Sequence, residues 1–273
     1  MGARELGNPL GNPLARPRKS AGGPPKDPVV VDFLASPNGA FPVISGVYPI
    51  PPEFSFFRVT VVGGGGSGYS ATNQGAGGGG GGLSRSPILP VTPGATIAYL
   101  AGGPSVGATN GGTSTADFGA YKLVATGGQT SLAGERALGG IGSGGADNWS
   151  GGSGGIFAAG AGGGGGAAGY DGNGGNGGDG RLPGSPSSGS AGSGGGGSTG
   201  SFLAGGGGGV LAGGSPGFGA TVPSFFSAGD AVYPFGSPAP IGTGYGGKWG
   251  GGGGCSPTVR GFGGQGGVRI ELW

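Results

Sequence analysis

Glycine is the residue that most constrains what this chain can fold into. Positions 151, 154, 160, 163, 166, 169, 172, 175 and 178 are all glycine in one register of three, broken only at Phe157. Runs of five, Gly162–Gly166 and Gly205–Gly209, make every position small. Three residues per turn is the period of a polyproline II-type helix, which rises about 3.1 Å per residue and points its N–H and C=O groups outward. Glycine keeps the N–H that proline lacks and carries no Cβ, so helices of this kind can approach closely and satisfy one another's backbone groups. Hydrogen bonds then stand in for a side-chain core. Collagen shares the period but needs an unbroken Gly-X-Y repeat rich in proline, and "SAGSGGGGSTGSFLAGGGGGVLAGG" slips between frames. Disorder is the remaining competitor, because glycine loses the most backbone entropy on folding. Against it stand 9% charged residues and a net charge of +2, little to keep a long chain expanded.

The 34% of hydrophobic residues, with 13 Phe, 7 Tyr and 3 Trp, are concentrated outside the glycine runs. "VVVDF", "AFPVISGVYPIP" and "FSFFRVTVVGGGG" are β-branched and aromatic runs cut by Pro and Gly, the pattern of short strands. In "PILPVTPGATIAYLAGG" the "TPG" supplies a turn between two apolar runs, and "FGAYKLVATGG" adds another strand candidate. At the C-terminus Val268, Ile270 and Leu272 alternate with Arg269 and Glu271, which predicts a half-buried strand. Three parts follow: an arm over 1–28, a β-sandwich module over 29–128 closed by a strand at 266–273, and a glycine body over 129–265. The arm holds Arg4, Arg16, Arg18, Lys19 and Lys26 against Glu5 and Asp27, and a duplicated "GNPL". Its prolines favour an extended chain, with Leu6, Leu10, Leu14, Arg16, Arg18 and Lys19 as candidate anchors to a larger assembly. No apolar run is long enough to span a bilayer, and the N-terminus shows no secretory signal.

"FSFFRVTVVGGGGSG", "LPVTPGATIAYLAGG", the glycine body and the closing "GGQGGVRIELW" together resemble the glycine-rich domain of bacteriophage tail-fibre and adhesin proteins, over roughly residues 41–273. A similar plan occurs in the glycine-rich extracellular region of the anaplastic lymphoma kinase receptors. The resemblance implies a mostly β fold with little or no α-helix. A small jelly-roll-like β-sandwich would carry a packed polyglycine II-type helix bundle, with the extended arm before it. It also implies a non-enzymatic virion protein on a surface appendage, a tail-fibre or receptor-binding component. The arm would hold it to other virion proteins, and host glycan or protein is the outward partner; a homo-oligomer such as a trimer is compatible with this. A head fibre or decoration protein on the capsid is the alternative within that class, and a secreted, ice-binding-like glycine-helix protein the alternative outside it. Within the segment 223–249, Phe225, Phe226, Tyr233, Phe235, Tyr245 and Trp249 are either a stacking surface for a receptor or an aromatic cap that seals the bundle.

The chain has no histidine, so Ser-His-Asp, Cys-His and His-based metal sites are excluded. Its eleven acids are scattered and nominate no carboxylate pair. The single cysteine, Cys255, rules out an internal disulfide framework. "GTGYGGKW" has the Gly and Lys248 of a phosphate-binding loop, but Trp249 stands where Ser or Thr must hold magnesium. "GGNGGDGRL" approaches a calcium nonapeptide, with Arg181 in place of its large apolar residue and no iteration. The expectation is no catalytic residue, no cofactor and no metal. The five basic residues of the arm, without interleaved aromatics, fit an acidic protein surface better than nucleic acid.

Overall fold

The computed structural model describes residues 27–35, 44–71, 74–105, 107–132, 135–157, 162–179, 246, 249–255 and 260–273. These residues are β-rich and contain no α-helix, and among them no helix is long and apolar enough to cross a membrane.

Val29–Leu34 (β1), Ile44–Pro49 (β2) and Phe56–Val62 (β3) form where the β-branched and aromatic runs predict strands. Tyr69–Ala71 (β4), Gln74–Ala76 (β5) and Leu83–Arg85 (β6) follow. Leu89–Pro90 (β7) and Thr96–Ala101 (β8) flank the "TPG" turn, where Gly94 takes a left-handed φ of 76°. Ser114–Phe118 (β9) and Tyr121–Ala125 (β10) make a hairpin turned by Gly119 at φ 60°. Gly142–Ser143 (β11), Asp147–Trp149 (β12), Ile156–Phe157 (β13) and Gly267–Leu272 (β14) complete the set. The first sheet has the order β1-β14-β3-β6-β12, with β7 also pairing β3; the second has the order β11-β10-β9-β8-β2. A small third sheet runs β13-β5-β4.

The first two sheets pack face to face. Phe57, Val59 and Val61 of β3 lie beside Leu272, Ile270 and Val268 of β14 in antiparallel register. Opposite them sit Ile97, Ala116, Phe118, Leu123 and Ala125 of the second sheet, forming one buried apolar cluster. Alternation at the C-terminus places Val268, Ile270 and Leu272 inside and leaves Arg269 and Glu271 on the outer face. Phe57 and Phe118 meet edge to face with ring centroids 5.5 Å apart.

The glycine tracts are laced together by their backbones. Along 77–82 the N–H groups rotate among three neighbours: Gly77 and Gly80 donate to Gly155 and Gly152, Gly78 and Gly81 to Gly253 and Gly250, Gly79 and Gly82 to Gln129 and Thr126. The carbonyls of the same tract accept from three others: those of Gly79 and Gly82 from Gly66 and Gly63, those of Gly78 and Gly81 from Gly165 and Ala168, and that of Gly80 from Gly140. Donor direction therefore repeats every third residue, and the tract is enclosed on every side. The tract 63–66 behaves alike, donating in turn to Gly82, Gly112, Gly264 and Gly79.

These two enclosed tracts lie within 29–128, the span assigned by sequence to the β module. Their hydrogen bonds cross the boundary drawn at 128/129, because each is the direct continuation of a sandwich strand. At the rim of the glycine body side chains replace the missing neighbour. Asn173, Asn176 and Asp179, three residues apart, accept the N–H groups of Ser150, Ser153 and Ile156 at 2.8, 2.8 and 3.0 Å. Arg136 ties two tracts by gripping both Asp179 oxygens and the carbonyl of Gly154.

Candidate functional site

Chemistry-bearing side chains collect on the outer face of the first sheet. Register places Asp32 opposite Arg269, Arg269 opposite Thr60, Thr60 opposite Arg85 and Arg85 opposite Asp147, one row across five strands. The next row pairs Glu271 with Arg58. On the other side of the first row lie Gly267, Val62, Leu83 and Trp149. Strand alternation alone puts these residues together, since each stands two positions from its neighbour along its own strand.

Two of the three arginines are fully engaged. Arg58 binds Glu271 through two hydrogen bonds of 2.7 and 3.1 Å, and Arg269 binds both oxygens of Asp32 at 2.8 Å. The hydrogen bond to Asp32 is the main cause that raises the Arg269 pKa above its ordinary value, so this guanidinium stays charged. Arg85 is held less completely. Its Nη2 lies 3.5 Å from Glu271, and its guanidinium sits 4.4 Å from the centre of the Tyr170 ring. Tyr170 comes from the turn between two glycine tracts, bridged at Gly169 and Gly172, and its hydroxyl accepts a 3.3 Å hydrogen bond from Arg269 Nη1. The glycine body thus lays one aromatic residue over the row of charges.

All three tryptophans border this face. Trp149 packs with Val62 and Leu83, the Trp249 ring lies 5.2 Å from the Arg269 guanidinium, and Trp273 lies 5.3 Å from that of Arg58. Trp249 is 6% exposed and left-handed at φ 62°, followed by Gly250 at φ 87°. It is part of the packing between sheet and glycine body, beside Leu34, Ala167 and Ala168. Of the aromatic segment read from sequence, Phe225, Phe226, Tyr233, Phe235 and Tyr245 lie outside the described residues. So do the arm positions Leu6, Leu10, Leu14, Arg16, Arg18 and Lys19. The described residues contain no group of three or more His, Cys, Asp or Glu side chains placed to hold a metal.

Sequence reasoning missed this face, although it noted Arg269 and Glu271 as the outward half of an alternating strand. The partners Arg58 and Glu271 are 213 residues apart. Only the closure of the chain ends into one sheet brings them together. Chemically the face offers guanidinium, hydroxyl and indole donors, with Glu271 and Asp32 already paired to arginines. No protein-family model matches the chain, and no curated protein sequence matches it.

Proposed function

We propose that this chain is a non-enzymatic structural protein of a bacteriophage virion, a tail-fibre or receptor-binding component. In this reading the glycine tracts are packed polyglycine II-type helices and the two sheets a jelly-roll-like module from which they grow. The observation that carries it is the rotation of donor direction every third residue along 77–82, with neighbouring tracts on all sides. A body built that way is stiff without a conventional core, and its rim and turns are free to vary in sequence, as an adhesin requires. The absence of histidine and the pairing of Glu271 and Asp32 with arginines favour binding over catalysis.

The arm is the part proposed to attach the protein to other virion proteins, and the aromatic segment 223–249, less the buried Trp249, the part that meets host glycan or protein. β1 starts at Val29, where its pairing with β14 begins. A chain starting at Pro28 keeps every strand of both sheets, and is expected to fold and to fail to join particles. The test is twofold: antibodies against the chain should decorate phage tails in electron micrographs, and the labelled full chain should bind saturably to cells of some bacterial strains. Decoration of no particle, together with no saturable binding to any strain, overturns the reading.

A further inference from the structure

We propose that Arg85, Thr60 and Trp149 form a binding site for a carboxylate group, entered when the side chain of Tyr170 moves aside. Three buried polar atoms on the outer face of the first sheet have no hydrogen-bond partner: Thr60 Oγ1, Arg85 Nε and Trp149 Nε1. Thr60 and Arg85 face each other across β3 and β6, and Trp149 stands on the adjoining strand β12. Thr60 is 1% exposed. All three atoms carry a hydrogen to donate, and a buried donor without an acceptor is costly. None of the three has an acceptor within hydrogen-bond distance.

Two of the three nearby carboxylates are committed elsewhere. Glu271 is held through both oxygens by Arg58 and reaches Arg85 only at 3.5 Å, and Asp32 is held through both oxygens by Arg269. Arg85 is the arginine of the row whose planar fork lacks a two-point partner, the arrangement a carboxylate fits. The Tyr170 ring covers it at 4.4 Å, and Tyr170 sits at the tip of a turn framed by Gly169 and Gly172. An incoming anion would face Glu271 and the half-buried Asp147, which stands opposite Arg85 in the β6–β12 pairing. The proposal does not rest on the virion reading, because carboxylate binding is a property of the isolated chain.

The chain's three tryptophans all border this face, so its intrinsic fluorescence reports on the site directly. The full chain is titrated with acetate and with glucuronate, and in parallel with glucose and sodium chloride at matched ionic strength. Both carboxylates are expected to give a saturable change that glucose and chloride do not. Arg85→Gln should weaken binding about tenfold or more, since it removes a charge-assisted two-point contact. Asp147→Asn should tighten it by about threefold through loss of a facing charge. Arg136→Gln, on the glycine body, should leave it unchanged. Glucuronate binding tighter than acetate assigns the site to an acidic sugar, and equal affinities assign it to small free carboxylates. The proposal is overturned by the lack of a saturable response to either carboxylate, by a chloride response equal to that of acetate, or by an Arg85→Gln chain that binds as tightly as the parent. Should Arg85→Gln fail to fold, unchanged or weaker binding by Asp147→Asn overturns it.

Discussion

A Cβ added at Gly80 would lie 2.0 Å from the carbonyl oxygen of Gly166. That oxygen belongs to a backbone locked by its neighbours, so nothing nearby can give way. Gly80→Val should cost about 3 kcal/mol or more in urea unfolding. Gly107, at φ 66° with nothing within 4 Å of an added Cβ, gives the contrast: Gly107→Asn should cost less than about 1 kcal/mol, because asparagine tolerates the left-handed region. Both are glycines in a glycine-rich chain, and sequence alone does not separate them. Cys255 shows the same limit, since its burial is set by Gly68 and the tract after Gly162 rather than by its immediate neighbours. Burial pushes its thiol from the ordinary 9.0 to about 11. The folded state therefore favours the protonated form. Its contribution to stability is complete below pH 9.0 and is lost as pH rises from there through about 11. At pH 8 a thiol reagent should label Cys255 only as fast as the protein opens, and prompt labelling of the native chain would show the thiol is not enclosed.

Strands and glycine tracts are one set of elements here. β3 runs into 63–66, the tract 77–82 runs into β6, β8 runs into Gly102, and 261–266 runs into β14. Ser114 clasps two of these junctions: its hydroxyl donates to the carbonyl of Val62 at 2.6 Å and accepts the N–H of Gly102 at 2.9 Å, fully buried. Ser114→Ala takes away the acceptor of the Gly102 N–H and one donor from the Val62 carbonyl, and should cost about 2 kcal/mol. Ser114→Thr, which keeps the hydroxyl, should recover part of that in the same denaturation assay. The longer strands were legible from pattern: β3, β8 and β10 fall where apolar runs give way to Gly, and β14 where Val268, Ile270 and Leu272 alternate with Arg269 and Glu271. Strands of two or three residues such as β11, β12 and β13 give no alternation to read, and they were not anticipated. The glycine network was legible only as a period. Which tract lies at the centre depends on backbone pairing, which leaves no side-chain signature, so 63–66 and 77–82 fell within the span read as the β module. The charged face was hidden for a related reason, since Asp32 and Arg269 meet only through the β1–β14 pairing.

At the scale of the molecule, sandwich and glycine body have different interiors but share their chain segments. An apolar cluster holds the first, and hydrogen bonds between backbones hold the second. Had the body been a separate insertion, each could open alone. Because β3, β6, β8 and β14 continue into tracts, losing strand register in the sandwich displaces the glycines that follow, and the two should unfold together. Ile270 sits in the middle of the sandwich core with no exposure, far in sequence from Gly77–Gly82. Ile270→Ala should destabilise the sandwich by about 2–5 kcal/mol. If opening is shared, the amides of Gly78–Gly81 lose protection against hydrogen exchange by the same free energy, although no atom of Ile270 is needed for their hydrogen bonds. Calorimetry on the parent chain should then give one transition whose van't Hoff and calorimetric enthalpies agree. Glycine amides that keep their protection in Ile270→Ala, or a melt in two steps, would mean that the lattice stands on its own. Uniformly fast exchange across 63–66 and 77–82 in the parent would mean that the lattice is not held at all.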